Sequence, residues 1–502
     1  MSTRPANPRS EQGGYVMVLT ALLIVPLLGF VAMAVDIGAW YVQAQANQRA
    51  ADAAALAGVV WLPDMTKATA VAKETASRNG FQHGVNSTVL VERAGANELR
   101  VKVASASPQY FSQLFLDEFA ITRSAVAEYV PPVALGSPNN SLGTGDLPGF
   151  SRPDGFWLAA SGKCSVAENG DLRLSRWSAS YTGTPSPYPP ICGGDLNPGY
   201  NNASGTGGYV FAIELGQTTG QPLTVQVYDA TYSPSLTSPT DIEFARINPL
   251  GAVSQFRTRY TLYRPDATPF DLTDNPVVQQ VIVNPYDASY QNQWRGITVP
   301  TPTAGTYFLR VDTLDVSQSV GSNGFALRAF LGSTFTECST LTANPTCPRV
   351  YAVNDLPLYA SLALTTDFYM AEIDPRHAGK TLQVTLFDVG EGANGVEILD
   401  PNGNPATFTW ETECSPPIVP PSGGCSGSGT YLDVSGTGAQ PGGRRMSASK
   451  YNDRSIVISI QIPDDYPYAG NWWKVRYHAS ASMTDRTTWS VRVLGDPVRL
   501  AG

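Results

Sequence analysis

The alternation of apolar and polar positions divides the chain into three unlike stretches. From Tyr15 to Val35, "YVMVLTALLIVPLLGFVAMAV", no residue is charged. A helix of that length, rising 1.5 Å per residue, crosses the hydrocarbon core of a bilayer. Pro26 interrupts the run, which a membrane helix tolerates as a kink. The sequence then continues without a break as "DIGAWYVQAQANQRAADAAALAGVVW", Asp36 to Trp61, rich in helix formers and free of Gly between Ala39 and Ala57. Gln43, Gln45, Asn47, Gln48, Arg49 and Asp52 suit this half to water. The pattern predicts one rod of about 70 Å. Its alanine-rich half either admits another helix at close range or lies on its own domain.

A second stretch mixes the two periods. "TKATAVAKETASRNGF" reads as a helix stopped at Asn79-Gly80. "STVLVERAGANELRVKVAS" alternates as a hairpin turning at Ala94-Gly95-Ala96-Asn97. "PQYFSQLFLDEF" suggests a short helix and "AITRSAVAEYV" a further strand. "PPVALGSPNNSLGTGDLPG", Pro131 to Gly149, then has the composition of a linker.

The third stretch is strand-like and contains a repeat. "GYVFAIELGQTTGQPLTVQVYDA" (Gly208–Ala230) aligns without a gap with "DFYMAEIDPRHAGKTLQVTLFDV" (Asp367–Val389). The two share Ala212/Ala371, Gly220/Gly379, Leu223/Leu382, Val225/Val384 and Asp229/Asp388. "TLYRPDATPF" then matches "EILDPNGNPA", "AGTYFLRVDT" matches "AGNWWKVRYH", and "FALRAFLG" matches "WSVRVLG". Matching stretches in one order point to duplication of a β unit. The expected class is α+β followed by all-β: a cytoplasmic N-terminus at 1–14, a transmembrane helix at 15–35 and a helix-plus-sheet module at 36–130. A linker at 131–149, a β-sandwich at 150–335, a connector at 336–350 and a second β-sandwich at 351–502 complete it.

Composition places the bulk outside the cytoplasm. Only 15% of residues are charged, while Gly 46, Pro 39, Tyr 23 and Trp 9 suit turn-rich β domains in a secreted setting. The net charge of -9, with no basic cluster, excludes nucleic acid from the expected partners. Cys164, Cys192, Cys338, Cys347, Cys414 and Cys425 show no CxxC spacing, and His83, His377 and His478 are scattered. That argues against zinc. Disulfides in an oxidising compartment are expected instead, with nearest-neighbour pairing the simplest of the open connectivities and buried free thiols the alternative. Arg4 and Arg9 precede the apolar run and the next basic residue is Arg49, which favours a cytoplasmic N-terminus. The rival, a cleavable signal peptide ending at Ala32-Met33-Ala34, requires a shorter apolar region.

Apparent chemical motifs fail on context. Asp315, Ser317 and Ser319 spell the DxSxS of a von Willebrand factor A metal site, but they run into a strand where that site needs a helix. Asp400–Glu411 places oxygens as a calcium loop does, yet Pro405 stands where the turn needs Gly. A hairpin turn is expected there. "GGCSGSG" (Gly423–Gly429) is not GxSxG. His377, beside Asp374 and Arg376, has Thr218 at its counterpart. No catalytic residue, metal ligand or cofactor is therefore assigned, and no enzyme is expected. Tyr466, Tyr468, Trp472, Trp473, Tyr477 and Trp489 crowd the last strands. Because Trp472 and Trp473 face opposite ways on a strand, Trp472, Trp473 and Trp489 are candidates for contact with a surface carbohydrate or protein, with burial as the alternative.

One set of features occurs in a distinctive order. Glu11 and Gly13 precede the apolar run, Pro26 lies within it, Asp36-Ile37-Gly38 ends it, and Ala50-Ala51-Asp52-Ala53-Ala54-Ala55-Leu56-Ala57 follows. This resembles the N-terminal segment of TadE/TadG-like proteins of the Tad (tight adherence, Flp-type) pilus-assembly system, over about residues 10 to 130. The resemblance implies a pilin-like module in a minor pilin or pseudopilin-like protein, held in membrane lipid, with other pilin-like or pilus-assembly subunits as partners. Glu11, Gly13, Pro26, Asp36, Gly38, Ala44, Ala51 and Ala55 are the positions it implies for helix packing and assembly. The strand order of the repeats also resembles bacterial pre-peptidase C-terminal domains. The expected role is assembly, surface display or adhesion. The alternative is a membrane-tethered extracellular binding module or hydrolase with its site in a sandwich loop.

Overall fold

In the computed structural model the apolar run and the alanine-rich stretch form one helix, α1 (Gln12–Val59), which continues through Pro26. The structure describes residues 12–501, apart from 151–155, 163–169, 173–207, 234–242, 246–256, 267–271, 285–288, 315–320, 415–420, 439–446, 467–470 and breaks of one or two residues. Two units result. The first comprises residues 1–131 together with 496–502, and the second residues 132–495.

In the first unit the buried face of α1 begins at Asp36. It runs through Ala44, Asn47, Ala50, Ala51, Ala54, Ala55 and Val59, the three-and-four spacing of a helix with one covered side. Helix α2 (Met65–Arg78) answers with Ala68, Ala72 and Ala76. Small residues on both sides let the backbones approach closely, and Gly58 marks the tightest point. A Cβ there would stand 2.7 Å from Leu99 Cδ2 and 2.9 Å from the Ala68 carbonyl oxygen. As its sequence signal predicts, α2 stops at Gly80, at φ +92°. Phe81 N–H donates to Ala76 and Gly80 N–H to Ser77, the paired bonds that close a helix through a left-handed residue. Strands β1 (Ser87–Gly95) and β2 (Glu98–Ala106) form the expected hairpin, and β3 (Ala120–Tyr129) pairs with β2. Leu99, Val101 and Val103 of β2 alternate inward beneath the helices. The short helix expected between β2 and β3 is a single 3-10 turn at Ser112–Leu114. A fourth strand, Val498–Ala501, completes this sheet by pairing antiparallel with β3, Val498 opposite Tyr129. The last residues of the chain thus belong to the sheet that follows its first helix.

The second unit consists mainly of two large antiparallel sheets. One has the path 294–299, 223–229, 321–331, 156–161, 355–362, 483–494, 381–387, 455–461, 408–412, 426–429. The other runs 277–283, 257–263, 305–314, 209–215, 349–353, 134–136, 366–372, 472–478, 395–399, 432–433. Both copies of the repeat use the same pairings. Tyr209–Leu215 joins Gly305–Leu314 as Thr366–Glu372 joins Trp472–His478. Leu223–Asp229 joins Gly321–Leu331 as Thr381–Phe387 joins Met483–Leu494.

Each sheet passes through both copies, and the residues read from composition as a linker help to make the join. β4 (Ala134–Gly136) lies between Arg349–Val353 and Thr366–Glu372. β5 (Ser141–Leu142) pairs with Gly321–Leu331. β6 (Phe156–Ser161) lies between Gly321–Leu331 and Asp355–Leu362. The polar residues that suggested a linker are used in hydrogen bonds. The Asn140 amide donates to the carbonyls of Ala329 (2.9 Å) and Thr336 (3.1 Å) and accepts from Cys338 N–H (3.0 Å). One apolar cluster includes Phe211, Leu309 and Phe325 of the first copy, Phe368, Trp473 and Trp489 of the second, and Phe156 of β6. The Phe156 ring lies 5.6 Å from that of Phe368.

Candidate membrane and assembly segment

The first half of α1 exposes its whole circumference. Among its large apolar residues Tyr15, Met17, Leu22, Leu23, Val25, Leu27, Phe30 and Met33 are all exposed. The helix is long and apolar enough to cross a membrane. Apolar surface of this extent, uncovered by the chain itself, requires an apolar surrounding. Pro26 stands within this half. Gly38 sits just after it, with nothing within 4 Å of where a side chain would begin. Gly13 falls in the first turn of α1, and Glu11 lies outside the described residues.

Asp36 is the first charged residue after the run and it is fully buried. Its carboxylate accepts the backbone N–H groups of Tyr110 (3.0 Å), Phe111 (3.0 Å) and Ser112 (2.5 Å). A charge held by several N–H donors is satisfied without water, so the helix carries an acid at the end of an apolar span at small cost. The loop before β3 is thereby fastened to one point of α1. One turn on, Trp40 Nε1 donates to the Pro108 carbonyl at 2.8 Å.

Polar residues that read as solvating continue the fastening. Asn47, wholly buried, donates to the Ile121 carbonyl at 2.5 Å and accepts from the Ser105 hydroxyl at 3.0 Å. Gln43 donates to Ser105 Oγ at 2.8 Å, and Gln48 to the Ser124 carbonyl at 3.2 Å. Ala44, Ala51 and Ala55 were the alanines expected to receive a partner helix. Ala51 and Ala55 belong to the core the unit builds with α2 and its own sheet, and Ala44 is buried as well. The helix lies on its own domain instead, because α2 and the sheet occupy the face that the small residues create.

The sequence candidates in the second unit are corrected too. Trp472, Trp473 and Trp489 are all buried, not surface contacts. Trp473 points into the core and donates from Nε1 to Tyr466 Oη at 2.8 Å. Trp489 stacks on Tyr477 with ring centroids 6.2 Å apart. Trp472, on the opposite face, packs edge-on against Tyr369. Asp400 folds its own turn, accepting the N–H groups of Asn402 and Asn404 at 2.9 Å each. Disulfides join Cys338 to Cys347 and Cys414 to Cys425, each with Cα atoms 5.9 Å apart. Cys164, Cys192, Asp315, Ser317 and Ser319 lie outside the described residues. Among the described residues no three His, Cys, Asp or Glu side chains converge as a metal would require. A small, partly open cleft of about 30 Å³ is lined by Val225, Asp229, Tyr260, Arg295 and Leu309.

A long exposed apolar helix, continued as the spine of a small α+β unit and carried with a large β unit on one chain, defines a membrane-anchored protein with a helix-plus-sheet base. Residues 14–69 match the family described as Putative Flp pilus-assembly TadE/G-like. The matched residues are those of the exposed helix, its alanine-rich continuation and the start of α2, which makes this a pilus-related membrane protein. No curated protein matches the chain. Among solved structures, the crystal structure of Cucumber Necrosis Virus aligns at 10% identity over 80% of this chain and 89% of that one. Its TM-score of 0.12 is too low to indicate a common fold.

Proposed function

We propose that the protein is a minor pilin or pseudopilin-like component of a Tad/Flp-type pilus apparatus. In this reading the N-terminus is cytoplasmic and the second unit is displayed outside the cytoplasm for assembly, surface display or adhesion, without turnover. The observation that carries the proposal is the coincidence of the family match (residues 14–69) with α1 and the start of α2. There, one half of the helix is exposed all round and the other is fixed to its own sheet. Lateral association with other pilin-like helices would then use the exposed half. Arg4 and Arg9 ahead of the span support the orientation.

The test places cysteines at Leu23 and Phe30, both exposed, in cells expressing the pilus components. Crosslinking should capture a second pilin-like subunit. Substitutions at the buried Ala51 and Ala55 should capture none. Absence of any capture at Leu23 and Phe30, or filaments assembling normally without the protein, would sink the proposal.

A further inference from the structure

The loop between β2 and β3 is short of cover in an unusual place. Asp36 and Trp40 hold its backbone against the first turns of α1 beyond the apolar run. With the backbone fixed there, Tyr110 is 61% exposed, Phe111 48% and Phe119 43%. Ile37 and Tyr41 of α1 are exposed at the same level of the helix, and the Trp40 ring meets Phe119 edge-on at 5.2 Å. From Ser107 to Leu114, "SPQYFSQL", the chain carries no charge, and the acids of the loop, Asp117 and Glu118, follow only just before Phe119. Tyr110 and Tyr41, aromatic with a polar tip, suit the zone between headgroups and acyl chains, and the apolar rings of Phe111 and Phe119 suit its acyl side. The cluster is continuous with the helix surface that enters the bilayer, so lipid is the occupant its position selects.

We infer that Tyr110, Phe111 and Phe119 form a second membrane contact, an aromatic collar seated at the lipid interface beside the exit point of α1 and clasped there by Asp36. The inference rests on the reading of α1 as the membrane anchor. The collar sets the depth at which the helix-plus-sheet unit meets the membrane surface. A single span leaves that depth adjustable by tilt, whereas an interfacial anchor fixes it.

The experiment uses the purified full chain in phosphatidylcholine nanodiscs at one copy per disc. An environment-sensitive fluorophore is attached, without reduction, to one added cysteine at Leu23, Phe111 or Leu90. Leu90 is 45% exposed on β1 and serves as the water-facing control. Doxyl-labelled lipids should quench the label at Leu23 from deep positions and at Phe111 from shallow ones, and leave Leu90 bright. In the Asp36→Asn variant the Phe111 label should lose its shallow quenching while Leu23 keeps its own. Quenching at Leu23 with Phe111 behaving like Leu90 overturns the collar and leaves the anchor standing. Loss of quenching at both positions removes the anchor and the collar together. Shielding of Phe111 that appears only with several copies per disc makes the occupant a second copy of the chain and overturns the lipid assignment. Shallow quenching that survives Asp36→Asn overturns the clasp.

Discussion

Asn47 shows how a side chain's role depends on partners far along the chain. Composition assigns it, with Gln43 and Gln48, to the water-facing side of a helix. Its partners Ser105 and Ile121 lie 58 and 74 residues away, a distance that local periodicity does not reach. The tryptophans carry the same lesson. Period two correctly sends Trp472 and Trp473 to opposite faces, but it does not tell whether the outer face is covered, and here both rings are buried. Of Gly29, Gly38 and Gly58 in α1, only Gly58 leaves no room for a side chain. Gly58→Val forces new atoms against Leu99 and the Ala68 carbonyl, and overpacking of this kind costs about 1–3 kcal/mol. Urea unfolding of the full chain in detergent, followed by hydrogen exchange of the β2 amides, should report that loss in the first unit. Unchanged protection of Val101 and Val103 would mean that α1 and α2 separate freely.

Elements were legible where the signal is local. The α2 stop at Gly80, the β1–β2 hairpin, strand β3 and the strands of both repeats follow from capping, turn residues and alternation. β4 and β5 were not legible, since three- and two-residue strands set among Gly, Ser and Asn have no period to read, and only their long-range pairing makes them strands. The join they help to build carries an electrostatic clamp. Arg349 Nη1 lies 3.6 Å from Glu214 of the first copy, and its other terminal nitrogen pairs with Glu372 of the second. Burial raises the Glu372 pKa above the ordinary carboxylate value, and the Arg349 charge opposes that rise. A carboxyl whose folded pKa lies above its unfolded one favours the fold when protonated. Its contribution therefore weakens as pH climbs through the folded value. Arg349→Met removes the opposing charge and pushes the Glu372 pKa higher. The stability deficit of this variant should be largest at neutral pH and shrink in acid, read as the urea midpoint at the two conditions. Equal deficits at both would show that Glu372 is paired elsewhere.

At the scale of the whole molecule, the order of elements is its least expected property. The chain builds most of one unit, leaves it after β3, completes the second unit between residues 132 and 495, and returns to add Val498–Ala501 beside β3. Four residues at the end of a sequence carry no statement about a partner more than three hundred residues earlier, so this return could not be read in advance. It predicts that a protease site inserted at Pro131 yields two fragments that co-elute in detergent after cutting. Removal of residues 498–502 should let them part. Co-elution that persists without the strand would overturn this role for it. The register adds a mechanical consequence. Because Tyr129 lies opposite Val498, the outgoing and returning segments leave one end of adjacent strands. A tug on the second unit therefore loads both strands from that end, and because Val498–Ala501 is an edge strand held by its four pairs with β3, its share of the pull is carried as shear along that pairing. The four pairs from Val498–Tyr129 to Ala501–Val126 are then the part of this sheet that yields first under load.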